Sequence, residues 1–486
     1  MGFVSTYAFA EEPASAETQP ADEAKAEQPV PVAPVAIAVE PAPAAVVQAD
    51  KPKVGDITTH GYFRGGFGAS VNQKGRMTCF QLNLGGILSK YRLGNECEVW
   101  AEMEFTRVMY VGEDGVVANI HFMPVAYIPT TYIGYTPTGV TSSDQGAFAT
   151  GATVAFPNLY ADIKGISWLS GGTAWLGTRY YKRESVYISD FFYWNPSGVG
   201  AGIEDINVAN IFDWSSDVVK DLKFSYGAFA VDGQPTGSPS LPQQYGLGIR
   251  NDFQLRGFRP WSGADFQLGF QYIADWSGST DSDGNPAVTH GGWGATFQFV
   301  QDLLGGNNKV ALQYGRGGGT GFGTLSRFYY PDFSLNYDTS EWRFRALDVI
   351  TIQPLDWFGM QANVVWQHDK NSTPSAGDWV SAGTRLAFGF VEHAKALLEF
   401  GHDQLWAANG SGNRQLTKVT GALAIAGSKG FWGRPELRAF YTWAMWDKAA
   451  AGSSVDSGKL YTYPDPNTGV YKLSGSTAGL QAEAIW

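Results

Sequence analysis

The chain has 486 residues, with 60 Gly, 17 Trp, 23 Tyr and 30 Phe, yet only 16% of it is Asp, Glu, Lys or Arg. A formal net charge of -12 excludes a nucleic-acid partner, whose recognition rests on concentrated Lys and Arg. No run approaches the ~18 apolar residues of a membrane helix, whereas many aromatics at low charge fit strands that are half apolar and half polar.

In chain order, Ala8-Phe9-Ala10 before Glu11-Glu12 has the small-x-small form of a signal-peptidase site, so residues 1–10 read either as the remnant of a truncated export signal or as an ordinary N-terminus. Residues 11–56 are a different material. Pro13, Pro20, Pro29, Pro31, Pro34, Pro41, Pro43 and Pro52 alternate with Ala, Val, Glu and Gln, which predicts an extended, largely disordered arm without heptads. From Ile57 to Trp486 short alternating segments follow one another without a linker.

The stretch Glu96 to Phe105 places Glu96, Glu98, Trp100, Glu102 and Glu104 on one strand face and Cys97, Val99, Ala101, Met103 and Phe105 on the other. Trp100 therefore stands among carboxylates, where an indole is not needed for packing. Alternation recurs at 222–230, 265–274 and 360–367, and in a last segment where Ala478, Leu480, Ala482, Ala484 and Trp486 oppose Gly479, Gln481 and Glu483. Asp114-Gly115, Asp232-Gly233, Asp283-Gly284 and Asn409-Gly410 supply turn chemistry between segments. The body reads as all-β. One closed antiparallel sheet explains its continuity better than a sandwich, because closure removes the edges that lipid would leave unpaired. A terminal outward aromatic also looks like an outer-membrane insertion signal.

Cys79 and Cys97 are the only cysteines, too few for a zinc site, and a disulfide bridging an outer loop is the expectation for an exported chain. No metal or cofactor is expected. Glu98, Glu102 and Glu104 do not suit glycoside hydrolysis: i, i+4 residues on a strand stand ~13 Å apart, and i, i+2 pairs at ~7 Å point in parallel along one wall. Gly315 to Gly323 lacks the Lys-Ser/Thr ending of a phosphate loop. No enzyme is predicted.

His60-Gly61-Tyr62-Phe63-Arg64, Cys79-Phe80-Gln81 and Ser89 to Glu98 closely resemble the opening of the maltoporin family of sugar porins. Asp190 to Trp194, Gly200 to Ile206, Trp432-Gly433-Arg434-Pro435 and Gln481 to Trp486 extend the resemblance over 57–486. It implies a transmembrane barrel of eighteen strands in the bacterial outer membrane, a homotrimer, an inward-folded constriction loop and a periplasmic arm. It also implies a slide of lumenal aromatics that stack on the apolar faces of sugar rings, between polar tracks that exchange hydrogen bonds with hydroxyls. Position by position, Tyr62, Trp100 and Trp432 match the slide, and Arg64, Arg92, Glu102 and Arg183 match the tracks. Phe192, with Asp190, matches the constriction, and Phe148 matches the aromatic that reaches into a neighbouring subunit.

Departures from the maltodextrin-selective pattern are equally specific. Phe192 replaces Tyr, Ala295 replaces an aromatic for which Phe297 is the substitute on the same face, Ile485 replaces Trp, and Ser185 replaces an acid. The expected function is facilitated passive diffusion of sugars, maltodextrin-like or other linear oligosaccharides. The alternatives are a general or other-solute porin on the same fold, and a hydrolase or lectin on a soluble β scaffold. Tyr62 and Trp100 also admit a plain role as interface-girdle aromatics, and the charged residues one as a solvated lumen wall.

Overall fold

Period-two alternation becomes inside and outside of a closed sheet. The computed structural model describes residues 51–71, 75–82, 90–129, 153–232, 247–276, 290–321, 338–370, 377–407, 413–450 and 473–486. The expected signal remnant and most of the Pro-rich arm lie outside the described residues, as do Asp283-Gly284, Asn409-Gly410 and Phe148. Within them, one antiparallel sheet comprises eighteen long strands and the two-residue piece Gly75–Arg76. Each strand pairs with its sequence neighbours. The first, Ile57–Ser70, closes the sheet by pairing with Glu98–Val111 on one side and Ser474–Ile485 on the other.

The segments expected at 222–230, 265–274 and 360–367 are strands Lys223–Asp232, Ala264–Trp276 and Phe358–Lys370. On Ala264–Trp276, Leu268, Phe270 and Tyr272 face outward and are exposed, while Gln267 and Gln271 face inward and are buried. Asp114-Gly115 makes the expected turn, with Gly115 at φ 85° and the Val116 N–H donating to Asp114 Oδ1 at 3.2 Å.

The two ends differ in their connections, although 208–222 and 427–435 lie at the same end as the shortest turns. At one end Leu303 to Gly306, Leu355 to Phe358 and Val391 to Ala394 join strands through two residues each. At the other end lie the long connections, which in outer-membrane barrels are extracellular. Lys51 to Asp56 belong to the short-turn end, where the Gly55 N–H donates to the Val108 carbonyl at 2.9 Å.

Candidate functional site

Two long connections fold inward and pack the barrel at its waist. Residues 180–197, between strands Gly172–Arg179 and Gly198–Asn207, carry a short hairpin of Glu184–Val186 against Phe191–Trp194. The far wall holds this segment in place. Tyr193 Oη donates to Gln298 Oε1 at 2.6 Å, the Ile188 N–H to Gln361 Oε1 at 2.9 Å, and Phe191 meets Trp379 edge-on at 5.3 Å.

The second is the bridged connection. Cys79 and Cys97 form the expected disulfide, with Cα atoms 5.9 Å apart. The expectation of a bridged outer loop is corrected, because residues 90–97 cross the lumen. The Lys90 and Arg92 N–H groups donate to the Ser189 and Ile188 carbonyls, and the Leu93 N–H donates to Glu399 Oε1 at 2.9 Å on the opposite wall. Tyr91 lies over Gly383 and Gly401, whose missing side chains leave room for its ring, and its hydroxyl is 2.9 Å from Ser381 Oγ. Backbone donors of this loop that would otherwise be buried unpaired thus find acceptors on the wall.

Charge holds the two loops to each other and to the first wall. Arg64 meets Glu96 at 3.4 Å, Glu98 at 2.6 Å and Asp190 at 3.1 Å. Lys90 meets Glu96 at 2.9 Å and Glu98 at 2.8 Å, and Arg92 meets Glu96 at 2.6 Å and Glu483 at 3.4 Å. Burial pushes the Glu96 carboxyl up, but Arg64, Lys90 and Arg92 outweigh it and hold the group well below the usual carboxylate range. Asp190 sits at φ 53° in the turn that aims its carboxylate at Arg64.

Register puts the matched aromatics in this network. Tyr62 lies opposite Glu102 and Arg64 opposite Trp100. Tyr62 Oη donates to Glu483 Oε1 at 2.9 Å and accepts from Arg92. Trp100 Nε1 donates to Glu102 Oε2 at 3.4 Å, its ring is 6.3 Å from Tyr127, and Arg64 stands 6.0 Å from its centroid. Both rings are only 2% exposed, so their faces are covered in this conformation. Phe192 is buried too, with the Arg183 guanidinium 5.1 Å from its ring and 3.4 Å from that of Tyr180. Trp432, on the connection before Glu436–Trp446, is half-buried against Tyr187 and Phe431, each at 4.9 Å.

Phe297 is elsewhere. On Gly292–Leu303 the buried inward residues are Thr296 and Gln298, while Phe297 faces outward between Leu268 and Leu312, with Ala295 on the same outer face. Phe297 therefore cannot extend a lumenal slide, and the expectation that it substitutes for Ala295 fails. Sequence reasoning missed Tyr187. Its hydroxyl donates to Glu483 Oε2 at 2.5 Å and accepts from Arg434, and the guanidinium groups of Arg92, Arg385 and Arg434 lie 5.0, 5.2 and 5.7 Å from its ring. It stands in a loop where alternation carries no signal.

The family model for the LamB porin matches residues 57–486. Among solved structures the chain is similar to Pseudomonas aeruginosa OpdK, determined with vanillate, at 10% identity over 89% of this chain and 98% of that one, with a TM-score of 0.45. It is similar to Acinetobacter baumannii OccAB2 at 10% identity, 89% and 98% coverage and a TM-score of 0.47, and to Salmonella typhi OmpF, in complex with daunomycin, at 9%, 88%, 98% and 0.38. A closed sheet with an apolar outside and a polar, loop-constricted inside, matched by the family model along its whole barrel, is an outer-membrane channel, and the chain belongs to the LamB porin family.

Proposed function

We propose that the channel passes sugars, as maltodextrin-like or other linear oligosaccharides, by facilitated passive diffusion. The observation that carries this reading is charge balance beside aromatic rings. Arg64, Lys90 and Arg92, and, towards the short-turn end, Arg434, Arg438 and Lys395, are each paired with a carboxylate among Glu96, Glu98, Asp190, Glu436 and Glu483. Such a wall offers donors and acceptors together with little net field, which suits an uncharged solute with many hydroxyls and two apolar ring faces. Tyr62, Trp100 and Trp432 supply the stacking surface, Arg64, Arg92, Glu102 and Arg183 the polar partners, and Phe192 with Asp190 the narrowest point. A homotrimer with Phe148 reaching a neighbouring subunit, and an arm of residues 11–56 in the periplasm, complete the proposal.

One observation favours the alternative of a general or other-solute porin: the rings of Tyr62 and Trp100 are almost fully covered, so stacking requires the inward loops to give way. Planar-bilayer conductance with linear oligosaccharides titrated into the bath separates the two. Concentration-dependent block supports a sugar path, because weak binding at successive sites interrupts the ion current. Open current that no oligosaccharide reduces leaves the general porin.

A further inference from the structure

On the outer face, register aligns Phe253, Phe270, Ala295, Tyr314 and Phe344 in one row across consecutive strands. Alanine in the middle of four aromatics leaves a notch, and around it lies an apolar groove of about 540 Å³. One row nearer the long connections, register aligns Trp293, Arg316, Trp342 and Lys370. Arg316 and Lys370 therefore flank Trp342, with Cα atoms ~10 Å apart by the strand spacing. Among the described residues neither cation pairs with a carboxylate, and Arg316 Nε is buried without a hydrogen-bond partner. Asp378, an acid on the following strand, is already engaged by His368 at 2.9 Å and by Trp366 Nε1 at 3.2 Å.

A cation at the rim of an apolar belt is stabilised by an anion that the membrane itself supplies, and phosphate oxygens are strong acceptors for guanidinium and ammonium groups. The two cations sit beside the long connections, at the extracellular end, where the leaflet consists of phosphorylated glycolipid. We propose that this face binds one such multiply acylated, phosphorylated glycolipid. Its phosphates meet Arg316 and Lys370 on either side of Trp342, whose ring packs between Tyr314 at 6.0 Å and His368 at 5.1 Å, and an acyl chain fills the notch over Ala295. The spacing of two cations across an aromatic distinguishes this occupant from a phospholipid with a single phosphate.

The test is native mass spectrometry of the full-length, detergent-extracted protein with two probes, hexa-acylated bis-phosphorylated lipid A and phosphatidylglycerol. The wild type is expected to retain lipid A over phosphatidylglycerol. The double variant Arg316→Gln/Lys370→Gln is expected to lower that retention about tenfold, equivalent to 1.4 kcal/mol. Ala295→Trp, which fills the notch and keeps both cations, is expected to lower it as well. Heat-modifiable gel mobility identifies folded barrels, so loss of retention is read only on those. Equal retention by the wild type and both variants overturns the proposal, and so does equal retention of the two lipids by the wild type.

Discussion

Arg64 meets three carboxylates at once and is itself completely buried, so its charge is held by Glu96, Glu98 and Asp190 rather than by water. Glu96 shows what that means for pH. Its carboxyl is held well below the ordinary range, so its contribution is fully present above the unfolded value of about 4.3 and is lost only as pH falls through the depressed folded value. The Glu96 carboxylate is therefore expected to stay ionised from pH 7 down through pH 5, which the side-chain carboxyl resonance of 13C-labelled Glu96 would report. A protonation step of that resonance between pH 5 and pH 7 contradicts this assignment. Trp100 has a sharper test: Trp100→Ala is expected to weaken oligosaccharide block by about 1–3 kcal/mol, the scale of one aromatic face. Unchanged block returns Trp100 to a packing role beside Tyr127. The inward direction of Trp100 was legible from sequence because Glu98 and Glu102 share its face. Phe297 was misread because a family position was given more weight than its own neighbours, Thr296 and Gln298, which mark the lumen side.

Strands and inserted loops differ in what their sequences encode. A barrel strand has lipid on one face and polar lumen on the other, so every residue carries a sign and the segments at 222–230, 265–274 and 360–367 could be read directly. Residues 90–97 are buried throughout, as are 186–189 and 191–197, while Lys182 to Ser185 are half-buried. Within the buried stretches polar and apolar residues are covered alike, and neither hydropathy nor period reveals the direction in which the loop folds. Contacts from distant strands decide it: Tyr91 fits over Gly383 and Gly401, which are far from it in sequence. Gly401→Val would place methyl groups in the space of the Tyr91 ring. That variant is expected to displace the bridged loop and raise single-channel conductance while the barrel still folds, as heat-modifiable mobility would report. Conductance equal to wild type would mean that Tyr91 does not hold the loop across the pore. The disulfide restrains the same loop, and Cys97→Ser is expected to destabilise it by roughly 3 kcal/mol, the scale for closing a loop of this length. Faster proteolysis between residues 79 and 97 is the readout, and unchanged proteolysis would contradict it.

Closure concerns the whole molecule, since a sheet in lipid has no tolerance for an open edge. The first strand carries the burden by pairing along Ile57 to Arg64 with Glu98–Val111 and along Tyr62 to Ser70 with Ser474–Ile485. The overlap at Tyr62, Phe63 and Arg64 is where the wall, the charge network and the seam coincide, so the constriction stabilises the closure as well as narrowing the pore. Beyond the paired strands the seam continues in two backbone bonds: the Gly61 N–H donates to the Trp486 carbonyl at 3.0 Å and the Trp486 N–H to the Gly61 carbonyl at 3.1 Å. The Trp486 ring covers Gly61, occupying the space that a side chain there would need. Two substitutions then separate pairing from packing. Trp486→Ala keeps the backbone bonds and removes the half-exposed ring, so it tests the ring's packing alone. Gly61→Val instead forces the ring aside and strains the paired backbone, so it is expected to lower the heat-modifiable, folded fraction more than Trp486→Ala does. If Gly61→Val assembles as well as wild type, the seam does not depend on this fit, and the pairing of Tyr62 to Ser70 with the last strand is enough to close the barrel.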